Sequence, residues 1–219
     1  MKLRNASLRA YLREHPWALR FVRVRWFRHK HVLRAIEHRC FAPAMRSDDT
    51  KLWRIANNPG IWTYLIYDGP KPVGYICGMP LEHPNCPYDP VLDPPQGWQQ
   101  HNTLYIDNIA IVPEYRGTQA LNFMFDAYTC FVNRKGYSRC TAHARRANGL
   151  SLYLQRRMGF ECLAHCRNWC ETGEDFDYLR LQMTPQRVPG VCAVALSDAV
   201  RRLFAGSVIE RRFRRSGNV

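Results

Sequence analysis

Several features that would assign this chain to a special structural class are missing from its sequence. No apolar run approaches the roughly 20 residues that a membrane-spanning helix requires. The 14 prolines and 13 glycines are scattered rather than tandem, and no motif recurs at the period of a solenoid or a propeller. What remains is an ordinary globular composition, with 46% hydrophobic and 23% charged residues in 219 positions.

Acidic residues are scarce, with 18 Asp and Glu against 32 Lys and Arg, and the excess lies at the two ends. Residues 1–40 carry a net charge of +9, residues 185–219 carry +5, and the body between them is balanced. Two interpretations of the positive charge at the ends fit the sequence equally well. The basic residues either form solvated surfaces, or they attract an anionic membrane surface or an acidic carrier protein. Nucleic acid is not favoured, because an amphipathic strand and helix explain the basic, aromatic N-terminus at least as well.

The nine cysteines are an odd number, and no secretory signal precedes them. We therefore expect reduced thiols and a cytoplasmic protein, with attachment to a membrane surface as the alternative. Cys162, Cys166 and Cys170 flank His165, but their four-residue spacing does not match structural zinc motifs. The sequence thus predicts no metal.

Hydrophobic periodicity predicts an α/β domain over residues 18–184, between a basic extension at 1–17 and a basic amphipathic extension at 185–219. Alternation predicts a strand over Leu19–Trp26, and helical spacing predicts helices over His31–Cys40 and from Asp48, the latter capped by Ser47. The later pattern predicts a hairpin, a long loop at 80–102, alternating strands and helices, and a closing hairpin. Between that loop and the closing hairpin, we expect strands over Leu104–Val112 and Ser138–Ala144 and helices over Gln119–Asn133 and Ala147–Arg157. Such an order indicates a sheet of mixed direction.

Two segments point to chemistry. In the first, Leu104–Leu121, a buried strand ends in a tight turn that opens directly into a helix. Free amides and the helix dipole at such a turn form an anion site suited to a pyrophosphate. In the second, Arg145–Phe160, an Asn begins a helix and a Gly-Phe pair returns the chain to the sheet.

On the run from Ile109 to Gly117 and the run from Asn148 to Phe160, the chain resembles the GNAT (Gcn5-related N-acetyltransferase) superfamily. The resemblance extends over about residues 18–184. It implies the GNAT acyl-CoA N-acyltransferase fold, a mixed central sheet flanked by helices in which two parallel strands splay apart. It also implies acetyl-CoA or another acyl-CoA as co-substrate, wedged between those strands, and an amine as the acceptor.

The resemblance also implies the residues that hold the acyl-CoA. The backbone of Ile109, Ala110 and Ile111 would bind the acyl carbonyl and the pantetheine, and Asn148 would contact the same molecule. The pyrophosphate would lie on the amides of the turn, which are those of Arg116, Gly117, Thr118, Gln119, Ala120 and Leu121.

Three positions depart from the family pattern. Gln119 and Leu121 stand where the family has small residues that let the backbone approach the phosphates. Gln155 stands where a Tyr commonly protonates the leaving thiolate. Tyr153 is offset from that position by two residues, about 200° around a helix, so we expect it to point elsewhere and to pack in the core.

An attacking amine must lose a proton, so the cleft needs a base. Tyr105 and Asp107 share one face of their strand by two-residue alternation, and both match positions where family members often carry a base. Glu82, at the entrance to the long loop, is a further candidate. The leading hypothesis is an acyl-CoA-dependent N-acyltransferase acting on a small molecule or a protein. Its alternatives are a long-chain transferase using a carrier protein or a membrane, and a GNAT fold that binds without catalysing.

Overall fold

The computed structural model describes residues 19–87 and 102–183, which form one seven-stranded sheet with four helices. The strands are β1 (Leu19–Arg23), β2 (Trp62–Asp68), β3 (Lys71–Pro80), β4 (Thr103–Ile111), β5 (Arg139–Arg145), β6 (Glu161–Cys166) and β7 (Phe176–Gln182). The helices are α1 (Trp26–Cys40), α2 (Asp49–Asn57), α3 (Ala120–Asn133) and α4 (Leu150–Met158). The two predicted extensions, at 1–17 and 185–219, lie outside the described residues.

The strand order is β1-β2-β3-β4-β5-β7-β6. Every neighbouring pair is antiparallel except β4 and β5, which run parallel. A parallel pair requires a crossover connection, and α3 supplies it between these two strands. The expected α/β fold with a mixed central sheet is therefore confirmed.

Strand alternation divides the core into two faces. On one face, Thr63 of β2 donates its hydroxyl to the Ile55 carbonyl of α2. On the other face, Tyr128 of α3 donates its hydroxyl to the Trp62 carbonyl at 3.0 Å. Gly78 of β3 permits this close approach, because a Cβ there would lie 2.6 Å from the Tyr128 hydroxyl oxygen. Helices α1 and α2 thus cover one face of the sheet and α3 covers the other.

The first helix begins earlier than its hydrophobic spacing predicts. β1 ends at Arg23 and α1 begins at Trp26 rather than at His31. The start is fixed by His29, whose Nδ1 accepts the Arg25 backbone N–H at 2.9 Å, a side-chain contact that periodicity does not encode.

The predicted cap of α2 is wrong by one residue. Asp48, rather than Ser47, caps the helix and accepts the Lys51 backbone N–H at 2.7 Å. The Ser47 backbone N–H instead donates to the Glu37 carboxylate at 2.6 Å, which places Ser47 outside the helix.

Seven described cysteines are free thiols: Cys40, Cys77, Cys86, Cys140, Cys162, Cys166 and Cys170. No described helix combines the length and apolarity needed to traverse a bilayer.

A buried carboxyl group joins α1 to the sheet. Glu37 is 1% exposed, and its carboxylate accepts the Tyr75 hydroxyl from β3 as well as the Ser47 amide. Burial raises the pKa of the Glu37 carboxyl above its ordinary value of 4.5, and the two hydrogen bonds only partly offset that rise. Burial therefore disfavours the charged form of this carboxyl group.

We expect the free energy of unfolding of the wild type to fall relative to that of Glu37→Gln as pH rises above 4.5. Between the unfolded and the higher folded pKa the native state holds more protons, so stability decreases with pH, by about 1.4 kcal/mol for each unit of difference between the two pKa values. Urea unfolding of both proteins from pH 4.5 to 7.5 measures this. If the wild type instead gained on the variant as pH rose, the folded pKa would lie below the unfolded one.

Candidate active site

The parallel strands β4 and β5 separate before either of them ends. Their pairing begins at Thr103 with Arg139 and stops at Ile106 with Ala142, although β4 continues to Ile111. β4 stays paired with β3 as far as Ile111, so it is β5 from which it departs. The predicted splayed pair is therefore present, and it leaves a wedge between the two carboxyl ends.

A β-bulge lies where the separation starts. On β3, Cys77 pairs with Asn108 and the next residue, Gly78, pairs with Ile106. Asp107 is the extra residue of β4. A bulge of this kind bends its strand and increases the local twist, which turns the end of β4 away from β5.

A cavity of about 560 Å³ occupies the wedge. The ends of α1 and β4, the turn before α3, and the starts of α3 and α4 line it: Cys40, Phe41, Ile109, Ala110, Ile111, Arg116, Gly117, Thr118, Gln119, Leu121, Asn122, Asn148, Gly149, Leu150 and Tyr153. Nine of the ten residues that the resemblance implies for acyl-CoA therefore share one cavity. The tenth, Ala120, is fully buried, and its amide donates to Thr118 Oγ1 at 3.1 Å.

The turn before α3 is held in shape by its own side chains. Arg116 donates through Nε to the Ile111 carbonyl at 3.0 Å, and Gly117 adopts a φ of +70° that favours glycine. Thr118 donates its hydroxyl to the Tyr115 carbonyl at 2.7 Å. The amides of Arg116, Thr118 and Ala120 donate within the turn, to the Pro113 carbonyl, the Tyr115 carbonyl and Thr118 Oγ1. The other amides in the first turn of α3 have no partner within the helix and lie at the positive end of its dipole. This is the chemistry of an anion site.

A hydrogen-bonded chain crosses the cavity from α4 to α3. Tyr153 donates its hydroxyl to Asn122 Oδ1 at 2.6 Å, and Asn122 Nδ2 donates to Gln119 Oε1 at 2.7 Å. The Gln119 side chain is thereby drawn back over the first turn of its own helix.

The expectation that Tyr153 packs in the core is wrong. Gly149 and Leu150 line the cavity, and Tyr153 follows them by four and three residues, so all three lie on one helix face. Gln155 lies on another side of α4 and donates to Ser151 Oγ at 2.9 Å.

Two of the three base candidates, Asp107 and Tyr105, lie on the α1 and α2 face of the sheet. Asp107 is close to Lys51 of α2, with Oδ2 and Nζ 3.4 Å apart, and its side chain is 10% exposed. Tyr105 is buried, and its hydroxyl lies 2.9 Å from His143 Nδ1 of β5. Glu82 is exposed in the segment after β3, outside the lining of the cavity.

Burial, followed by the negative charge of Asp107, holds the pKa of the Tyr105 hydroxyl well above its ordinary value. This hydroxyl therefore keeps its proton at neutral pH and does not accept one as a base. The Trp169 ring stacks on His143 with centroids 3.5 Å apart, and the backbone on either side of Trp169 has positive φ at Asn168 and Cys170. A constrained hairpin end thus closes over Tyr105 and His143.

The sequence does not identify as site residues four side chains that the structure places there: Lys51, His143, Trp169 and Tyr153. His143 lies two residues beyond Thr141, which pairs with Tyr105, so strand register brings its ring to the Tyr105 hydroxyl and the sequence alone does not. Lys51 and Trp169 reach the site only through the packing of α2 and of the β6–β7 hairpin.

The comparisons with known proteins agree with this geometry. The family model described as "Acetyltransferase (GNAT) family" matches residues 26–160. The ribosomal-protein-S18-alanine N-acetyltransferase from Escherichia coli superposes with a TM-score of 0.59 at 12% identity, over 78% of this chain and 97% of the other. Arabidopsis thaliana NAA60, solved with a bisubstrate analogue, gives 0.57 at 12% identity, over 77% and 99%.

The loading GNATL domain of CurA from Lyngbya majuscula gives a TM-score of 0.56 at 12% identity, over 75% of this chain and 97% of the other. No curated protein matches the chain in sequence. At these identities the solved structures show a shared fold, and the family model spans more than half of the chain. The chain belongs to the GNAT acetyltransferase family.

Proposed function

We propose that this protein transfers an acetyl group from acetyl-CoA to a primary amine. The observation that carries the proposal is the wedge between β4 and β5, whose cavity is lined by strand backbone on one side and by the turn before α3 on the other. Family membership supports the transferase class, and the carboxylate at the bulge where the wedge opens supports an amine acceptor, which must lose a proton to react.

On the donor side, the chain offers two kinds of contact. The carboxyl end of β4, at Ile109 to Ile111, extends beyond the pairing with β5 and provides backbone groups for the acyl carbonyl and the pantetheine. The turn and the first helical turn provide N–H groups for the pyrophosphate. Asn148 lines the cavity two residues before α4 begins, and its Oδ1 accepts the Leu150 backbone N–H at 3.0 Å.

On the acceptor side, the reaction needs a base and a donor. The amine nitrogen attacks the thioester carbon, the carbon–sulfur bond breaks, and the amine proton leaves while the thiolate gains one. Asp107 is the base in this proposal, because it is the carboxylate at the bulge where the wedge opens. Tyr105 is the donor in this proposal, because it lies two residues before Asp107 on the same strand and carries a proton that the departing thiolate needs.

The proposal is tested by titrating acetyl-CoA into the protein in a calorimeter and by following acetylation of small amines and of peptide N-termini by mass spectrometry. Binding together with transfer is the expected result. Binding without transfer to any amine would favour the alternative of a binding module, and preference for long acyl donors would favour the carrier-protein or membrane alternative. Absence of both binding and transfer would contradict the proposal.

Gln119→Glu is expected to weaken acetyl-CoA binding about tenfold or more at low salt. The change preserves shape but places a negative charge beside the anion site, and about 1.4 kcal/mol of repulsion corresponds to a factor of ten. Calorimetric dissociation constants at two salt concentrations measure the effect, which added salt should reduce.

The matched control is Gln182→Glu, the same substitution on β7, where the side chain donates to the Ser138 carbonyl away from the cavity. Equal weakening by both variants would show that overall charge, rather than an anion site at the turn, governs binding.

Asp107→Asn is expected to lower kcat by about 10²–10⁴ while leaving the KM for acetyl-CoA within a few-fold, because the amide cannot accept the amine proton. Steady-state kinetics with saturating amine measures this. Asp126→Asn on α3 is the control, since that carboxylate is exposed on a helix that lies on the opposite face of the sheet. An unchanged kcat in Asp107→Asn would remove Asp107 from the mechanism.

A further inference from the structure

A cluster of three potential metal ligands lies on the β6–β7 hairpin. Cys162, His165 and Asp177 each offer one donor atom, and these atoms all lie within 4.8 Å of one another. Cys162 Sγ is 3.9 Å from His165 Nδ1, and His165 Nδ1 is 2.5 Å from Asp177 Oδ1. We propose that these residues form a binding site for a zinc-class divalent ion, separate from the transferase site.

The strand pairing explains why the three side chains converge. His165 and Asp177 are direct cross-strand partners, so their side chains leave the sheet on the same face. Cys162 is three residues before His165 and would normally face the other way. A register shift between Cys162 and Ala164 inserts one extra residue and brings the thiol to the His165 side.

The geometry fits ion binding better than a nucleophilic relay. In a Cys-His-Asp relay the thiol and the carboxylate contact opposite nitrogens of the imidazole ring. Here both Cys162 and Asp177 contact Nδ1, so three donors point at one position.

A second set of contacts orients the carboxylate. Ser151, in the first turn of α4, donates its hydroxyl to Asp177 Oδ2, and Gln155 Nε2 donates to Ser151 Oγ at 2.9 Å. Oδ1 is thereby turned toward His165. Metal-binding side chains are commonly held in this way by hydrogen bonds from the residues behind them.

The donor set is one thiolate, one imidazole and one carboxylate, a combination that suits a borderline ion such as zinc. Tetrahedral ligands around zinc lie about 3.3–3.6 Å apart, given bond lengths of about 2.0–2.3 Å, so the three side chains need to shift by about 1 Å. The His165 side chain is 65% exposed, which leaves an entry path and room for a water ligand. Arg146 competes, with Nε 3.5 Å from Asp177 Oδ1, but its side chain is half exposed and can move away.

Occupation of the site would join three elements of the fold. The ion would hold the edge strand β6 to β7, and the Ser151–Asp177 bond would extend that link to the start of α4. The residues immediately before α4, Asn148 and Gly149, line the cavity. The site would therefore stiffen the wall against which the donor molecule binds.

The test uses the full chain, freed of metal by a chelator and titrated with zinc or cobalt chloride. We expect about one equivalent of zinc to remain bound after gel filtration. Cobalt should give the near-ultraviolet absorption band of a thiolate–cobalt bond. Zinc should also raise the midpoint of thermal unfolding by about 5 °C at a hundredfold excess over the dissociation constant.

Cys162→Ser and His165→Ala should each lose the stoichiometric zinc and the cobalt band, whereas Cys170→Ser, an exposed cysteine of the same hairpin, should keep both. Circular dichroism shows whether each variant folds. Less than about 0.2 equivalents of zinc in the wild type would overturn the proposal, as would a cobalt band that persists in Cys162→Ser or disappears in Cys170→Ser.

Discussion

The separation of β4 from β5 is the constraint on which the rest of the site depends. A parallel pair that stayed hydrogen-bonded along its full length would leave no room beside the carboxyl end of β4, and the residues of the turn would surround a packed core. The bulge at Asp107 prevents this, because one extra residue on β4 changes its direction while its pairing with β3 continues to Ile111. The cavity and the β4 backbone that does not pair with β5 both follow from that bend.

The same bend separates two kinds of chemistry. The end of β4, the turn before α3 and the start of α4 line a cavity between the strand ends. Asp107, Tyr105 and His143 lie on the face covered by α1 and α2. There Asp107 is close to Lys51, and the buried Tyr105 contacts His143. The cavity and this buried cluster therefore lie on two sides of the same stretch of β4.

Several polar side chains inside this domain form hydrogen bonds that connect one helix or strand to another. The Glu37 carboxylate fastens α1 to β3 and to the segment before α2, and the chain from Tyr153 through Asn122 to Gln119 spans α4 and α3. The Asp177 cluster does the same for the hairpin and α4. Each of these contacts includes a helix, α1, α3 or α4, of which one end lines the cavity, so the fold and the cavity share the same supports.

The sequence alone determined the order of strands and helices in the middle of the chain and the family. Those features depend on local periodicity, turn residues and a continuous motif from Ile109 to Gly117. It also grouped nine residues that one cavity brings together. It did not determine where α1 begins, which residue caps α2, or that Tyr153 faces the cavity, because each depends on a partner distant in the chain or on the exact start of a helix. Only the tertiary structure decided three contacts: Lys51 with Asp107, Tyr105 with His143, and Cys162 and His165 with Asp177. Strand register and bulges set those distances, and spacing along the chain does not.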